Sequence, residues 1–143
     1  MFSFGNWING ATPENEKEQI ELFKEAFKSG INYFDTSENY GYGIAETQLG
    51  KALKEINCKR EDYVVSTKLF WGTNEWKTKV NSIGLSRKHL LEGIKNSLER
   101  LQLNYVDIVF CHRPDKNVSI EDVCRSMHWI IEQGYALYWG TSE

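Results

Sequence analysis

Strand-like and helix-like stretches alternate along this chain in a fixed order, and that alternation restricts the fold more than any other feature. A short apolar start over residues 1–7 ends in a Gly/Asn-rich loop. Thr12 then reads as a helix N-cap and Pro13 as the first helical residue, with Ile20, Phe23, Ala26 and Phe27 on one face and Gly30 as the stop. Residues 31–34 read as a strand and lead at once into a polar loop. The second unit repeats the order: a helical stripe of Ala45, Leu49, Ala52, Leu53 and Ile56, then a β-branched strand over 63–68. A long aperiodic loop over 71–85 follows. Ser86 caps a third helix with Leu90, Leu91, Ile94, Leu98 and Leu101 inside, and residues 106–111 form the most apolar strand. Ser119 with Asp122 resembles a capping box ahead of Val123, Met127, Ile130 and Ile131; Gly134 ends that helix before a last strand over 136–139.

Strand and helix thus alternate through four units and end on a fifth strand, which predicts parallel strands joined by crossover helices in an α/β fold. The two solutions are an open doubly wound sheet and part of an eight-fold barrel. No GxGxxG follows the first strand, and Gly5 and Gly10 are badly spaced for one, which weakens the nucleotide-binding open sheet.

Composition narrows the classes further. A chain of 143 residues suits one domain, and 41% hydrophobic residues can build its core. A net charge of -3 gives no electrostatic reason to expect nucleic acid. Cys58, Cys111 and Cys124 form neither a CxxC pair nor a metal spacing, so no metal site is expected and the sparse, odd count reads as reduced. No secretory leader or membrane-length apolar run is visible, and a cytoplasmic location is expected.

Reactive side chains recur at one structural place. Asp35 and Tyr40 follow the second strand, Lys68 ends the third, His112 ends the fourth, and Ser142 follows the fifth. The carboxyl ends of parallel strands lie on one side of a sheet, so these residues should converge on one mouth. Together they make chemical sense. A phenol with a pKa of about 10 exchanges protons poorly at neutral pH. A nearby ammonium favours its phenolate, a carboxylate holds the ammonium, and an imidazole can polarise a carbonyl or help pass a proton. Such a set suits protonation of an oxygen while a hydride attacks its carbon; no side chain supplies a hydride, so a nicotinamide cofactor is implied. Taken singly, each residue has an ordinary explanation: Lys68 as a solvated strand end, Asp35 as a turn former, Tyr40 as a surface ring, His112 as a strand closer.

The residues around these positions resemble a known family. Phe34-Asp35-Thr36-Ser37-Glu38-Asn39-Tyr40-Gly41 is similar to the FDT-x-x-x-Y-G signature of the aldo-keto reductases, with Glu46 and Gly50 in the next helix where the family has E and LG. Ser66-Thr67-Lys68, Val109-Phe110-Cys111-His112-Arg113 and Trp139-Gly140-Thr141-Ser142 resemble its third, fourth and fifth strand ends. Thr67 to Gly72, Gly84 to His89, Ser97 to Gln102 and Tyr138 to Ser142 are especially similar to the β-subunits of voltage-gated potassium channels. The resemblance implies a partial (β/α)8 TIM barrel, with residues 1–143 as the N-terminal half: about four strand–helix units plus a fifth parallel strand. It implies NADP as cofactor and a small aldehyde or ketone as substrate. It makes Tyr40 the proton donor, Lys68 the modulator of its pKa and Asp35 the partner of the lysine. His112 stands where most of the family has His and where animal channel β-subunits have Asn. Asn6, Trp7 and Ser142 match positions near the nicotinamide, as do Asp35 and His112, and Trp71 walls the substrate side. Glu143 replaces an Arg of the channel group. The family's pyrophosphate-gripping segments lie after the fifth strand.

An alternative role is a regulatory, cofactor-sensing module associated with a membrane channel, or an inactive remnant. A half-barrel has open sheet edges, near residues 2–6 and 136–139, and these predict instability or self-association. Phe34, Val65, Phe110 and Trp139 are the residues expected to face the opened interior.

Overall fold

The structure is a computed structural model that describes residues 2–3 by their backbone, and residues 15–73 and 80–142. The expected caps Thr12 and Pro13 lie outside the described residues. Five parallel strands form one sheet: β1 (Phe2–Ser3), β2 (Tyr33–Asp35), β3 (Val64–Leu69), β4 (Val106–Cys111) and β5 (Ala136–Thr141). Among the described residues four α-helices alternate with them: α1 (Glu16–Lys28), α2 (Ile44–Ile56), α3 (Arg87–Leu101) and α4 (Ile120–Glu132).

The strand order across the sheet is the chain order, β1 through β5. A doubly wound sheet reverses its order at a switch point; a barrel does not. Sequential order therefore decides between the two solutions left by the sequence, in favour of an arc of a barrel. Consecutive helices pack against one another, α1 on α2, α2 on α3 and α3 on α4, as one outer layer.

The helix ends follow local chemistry. Ser86 Oγ accepts the His89 N–H at 3.2 Å, and Ser119 Oγ accepts the Asp122 N–H at 3.2 Å. Asp122 accepts the Ser119 hydroxyl at 3.0 Å. Gly30, at φ +91°, lets the Ile31 N–H reach back to Ala26 O at 3.0 Å. That cap uses the backbone of Ile31, and β2 accordingly starts at Tyr33, two residues later than the sequence suggested. At the other end of the sheet, β5 runs on to Thr141, because Gly140 and Thr141 still pair with Phe110 and Cys111.

The core lies between the sheet and the helices. Phe34 is fully buried, its ring centroid 4.2 Å from that of Phe23 in α1. Phe34 is in register with Val65, which is also fully buried. Side chains alternate faces along a strand, so both residues belong to the helix-covered face. This corrects the expectation that they face the barrel interior. Trp139 is in register with Val109, which is in register with Thr67, so Trp139 too belongs to the helix side. The interior face carries Ser66, Lys68, Ile108, Phe110 and Tyr138 instead; of the four residues expected there, Phe110 alone is on it. Tyr138, near the edge of this face, is 69% exposed.

One helix contact is unusually close. A Cβ at Gly50 would lie 2.4 Å from Leu101 O and 2.9 Å from Arg100 O, both backbone atoms. The glycine lets α2 pack directly onto the end of α3. Gly50→Ala must therefore push two helices apart, with an expected loss of about 1–3 kcal/mol or more, read as a lower midpoint in chemical denaturation. An unchanged midpoint would show that the two helices do not meet this closely.

Candidate active site

The β2–α2 loop brings most of the site with it. Residues 35–38, Asp-Thr-Ser-Glu, are all buried, although every one is polar. Buried polar groups need partners, and apart from the Thr36 hydroxyl, which has none, the loop finds several of them at the carboxyl ends of neighbouring strands. The Thr36 N–H donates to Ser66 O at 2.9 Å and the Glu38 N–H to Lys68 O at 3.2 Å, which ties the loop onto β3.

Lys68 is 9% exposed, so it is not a solvated strand end. Its Nζ donates to Asp35 Oδ2 at 2.5 Å, to Thr36 O at 2.9 Å and, over a long 3.5 Å, to Tyr40 Oη. An ammonium has three N–H donors, so each has one acceptor. Asp35 Oδ1 accepts from Ser66 Oγ at 2.6 Å, which fixes the carboxylate from its other side. Because Tyr40 Oη accepts from Lys68, its own proton is free to point elsewhere. Tyr40 leads the short turn Tyr40–Gly43, and its ring centroid lies 5.0 Å from Lys68 Nζ.

His112 follows β4, and its N–H donates to Leu69 O at 3.0 Å. Its ring meets that of Tyr40 edge-to-face, with centroids 5.9 Å apart. Burial, followed by the Lys68 and Arg113 charges, lowers the imidazole pKa from 6.5 to about 4; the Glu38 and Asp35 carboxylates oppose this more weakly. His112 is therefore neutral at physiological pH. Asp35, Tyr40, Lys68 and His112 thus lie on one side of the sheet, at the carboxyl ends of β2, β3 and β4.

The remaining expected residues fall as follows. Ser142 is half-buried just past β5, and its N–H donates to Cys111 O at 3.0 Å, next to His112. Trp71 follows β3 and packs edge-to-face on Phe70, with centroids 4.7 Å apart. Asn6, Trp7 and Glu143 lie outside the described residues.

Three further side chains belong to the site or its frame, and the sequence reading passed over them as site residues. Ser66 holds Asp35. Ser37 Oγ lies 3.1 Å from His112 Nδ1. Glu38 Oε1 accepts the N–H groups of Phe70 at 2.7 Å and Gly72 at 2.9 Å, on either side of Trp71, with His89 Nε2 3.1 Å away. The signal available was the unbroken polar run after a strand, but its partners depend on register between strands far apart in sequence. The Glu46 and Gly50 pair has a structural meaning. Glu46 is fully buried in α2, where its carboxylate accepts from Thr67 Oγ1 at 2.5 Å and Arg100 Nε at 2.6 Å. Burial raises its pKa, against the pull of Arg100 and Thr67.

The sequence model of the aldo/keto reductase family matches residues 2–143. A protein of Oryza sativa subsp. japonica named "Probable voltage-gated potassium channel subunit beta" is 45% identical over 143 residues, which cover 100% of this chain and 42% of that protein. Its namesake in Arabidopsis thaliana is 44% identical over 141 residues, covering 99% of this chain and 42% of that protein. The chain therefore spans about two fifths of the length of these plant relatives. Among solved structures, a thermostable aldo-keto reductase, Tm1743, crystallised with the inhibitor epalrestat, superposes with a TM-score of 0.82 at 29% identity, covering 98% of this chain and 47% of that one.

Proposed function

The chain belongs to the aldo/keto reductase family, and on that premise we propose that residues 1–143 carry the catalytic half of an NADP-dependent carbonyl reductase barrel working in the cytoplasm. One observation carries the reading: the three donors of Lys68 are divided among Asp35, Thr36 O and Tyr40 Oη. That arrangement leaves a phenol with a charged donor behind it and its own proton available in front.

A small aldehyde or ketone enters beside Tyr40, with Trp71 along one wall. Tyr40 Oη gives its proton to the carbonyl oxygen. The Lys68 ammonium stabilises the phenolate left behind, and Asp35 holds the ammonium in place. The donor set fits a nicotinamide, since it holds an acid and its supporting cation but no side chain able to release a hydride; bound NADPH supplies that hydride. Ser142, Asn6 and Trp7 would hold its nicotinamide end, with Asp35 and His112 alongside.

The test is titration of the chain with NADPH, followed by addition of an aldehyde. Binding with turnover supports the reductase. Binding without turnover supports a second reading, suggested by the names of the plant relatives: a cofactor-sensing module associated with a membrane channel. No binding at all would leave the chain without either role on its own.

A further inference from the structure

Glu38 lies two residues ahead of Tyr40 in the β2–α2 loop, and its carboxylate is buried. Its backbone and its side chain are tied to different places. The backbone N–H donates to Lys68 O at 3.2 Å, on the strand that carries the lysine. The side chain crosses to the loop after β3, where Oε1 accepts the N–H groups of Phe70 at 2.7 Å and Gly72 at 2.9 Å. These two residues flank Trp71, whose ring packs on that of Phe70. His89 Nε2, in the first turn of α3, lies 3.1 Å from the same oxygen. Helix α3 also stands close behind the second oxygen, since a Cβ at Gly93 would lie 3.4 Å from Oε2. The carboxylate is thus lodged between α3 and the loop. Hydrogen bonds from backbone N–H groups to a carboxylate are charge-assisted and about twice as strong as neutral ones.

We infer that Glu38 is a positioning residue that fixes Trp71 relative to the loop of Tyr40, by accepting the backbone N–H on either side of the indole. Its consequence for substrate selection rests on the reductase reading: one side chain joins the segment bearing the proton donor to the segment bearing the wall, and so sets the width of the substrate side. This role needs reach rather than charge. Glu38→Gln keeps the length and an oxygen able to accept both N–H groups. Glu38→Asp keeps the charge but is one methylene shorter, so with its backbone held at Lys68 O it cannot meet both N–H groups in the same place. Glu38→Ala leaves them without this acceptor in a buried place. A bulky aromatic aldehyde leans on the wall and a small aliphatic one does not, so a displaced Trp71 acts on the first and spares the second.

Fluorine NMR of the chain labelled with fluorotryptophan reads the position of the indole directly. The chain has five tryptophans, and the Trp71 signal is the one lost in Trp71→Phe. It is expected to move in Glu38→Asp and in Glu38→Ala and to keep the parent shift in Glu38→Gln. The signals of the other tryptophans, unmoved, show that the fold is intact, and Glu38→Asp carries the test if Glu38→Ala does not fold. A Trp71 signal unmoved in Glu38→Asp, or moved as far in Glu38→Gln, overturns the inference. Steady-state kinetics with NADPH then compare naphthaldehyde with propanal. Glu38→Asp should raise KM for naphthaldehyde by about ten-fold relative to that for propanal, with the ratio of the two kcat values unchanged; a general loosening of the site would act on both aldehydes alike. No turnover in the parent chain, with the Trp71 signal behaving as expected, removes the reductase reading and leaves the positioning role of Glu38 standing. Turnover with an unchanged KM ratio, although the Trp71 signal has moved, overturns the claim that Glu38 sets the substrate side.

Discussion

Tyr40→Phe should lower carbonyl reduction by about 10²–10⁴-fold, the usual contribution of a positioned general acid, while NADPH binding persists. The substitution removes one oxygen and keeps the ring, so the edge-to-face contact with His112 and the approach of Lys68 to the ring both survive. Any loss of rate is then the loss of the proton donor. Consumption of NADPH at saturating aldehyde gives the rate, and quenching of protein fluorescence gives the binding. Undiminished turnover would mean that another group donates the proton, and the assignment of Tyr40 would have to be abandoned.

Asp35→Ala should be the most destabilising single change in the site. Lys68 and Asp35 have side chains only 11% and 12% exposed. Removing the carboxylate leaves an ammonium buried with one carbonyl and a phenol, and takes from Ser66 its acceptor. Breaking one side of a buried ion pair costs about 3–5 kcal/mol. Domains are stable by only about 5–15 kcal/mol, so a large part of the stability is at stake. The double variant Asp35→Ala, Lys68→Met removes both charges and should recover much of the loss, because no uncompensated ion remains. Chemical denaturation of the single and double variants measures both effects. If Asp35→Ala were as stable as the parent, Lys68 would be reaching solvent rather than lying sealed under the β2–α2 loop.

While the order of the strands across the sheet came from the structure, the sequence by itself determined the helices, the alternation of strand and helix along the chain and the placing of reactive groups after successive strands. Each of these is written over a few neighbouring residues. The stripe of Leu90, Ile94, Leu98 and Leu101 specifies a buried helical face, and Ser86 specifies where that helix begins. The span 106–111 of β4 was legible to the residue, because an apolar run ends there at a polar turn. Parallel order then brings Asp35, Tyr40, Lys68 and His112 to one side without further information. The tertiary structure alone decided which face of each strand is the interior, and it sent Phe34 and Val65 to the helices. It alone brought Ser66 to Asp35, across a sequence separation of 31, and Ser37 to His112, across 75. The physical reason is that such pairings depend on the register of strands tens of residues apart. Register follows from the packing of the whole helix layer on the sheet, where close contacts such as Gly50 on Leu101 O set how near two helices lie. No local pattern of hydrophobicity carries that distance.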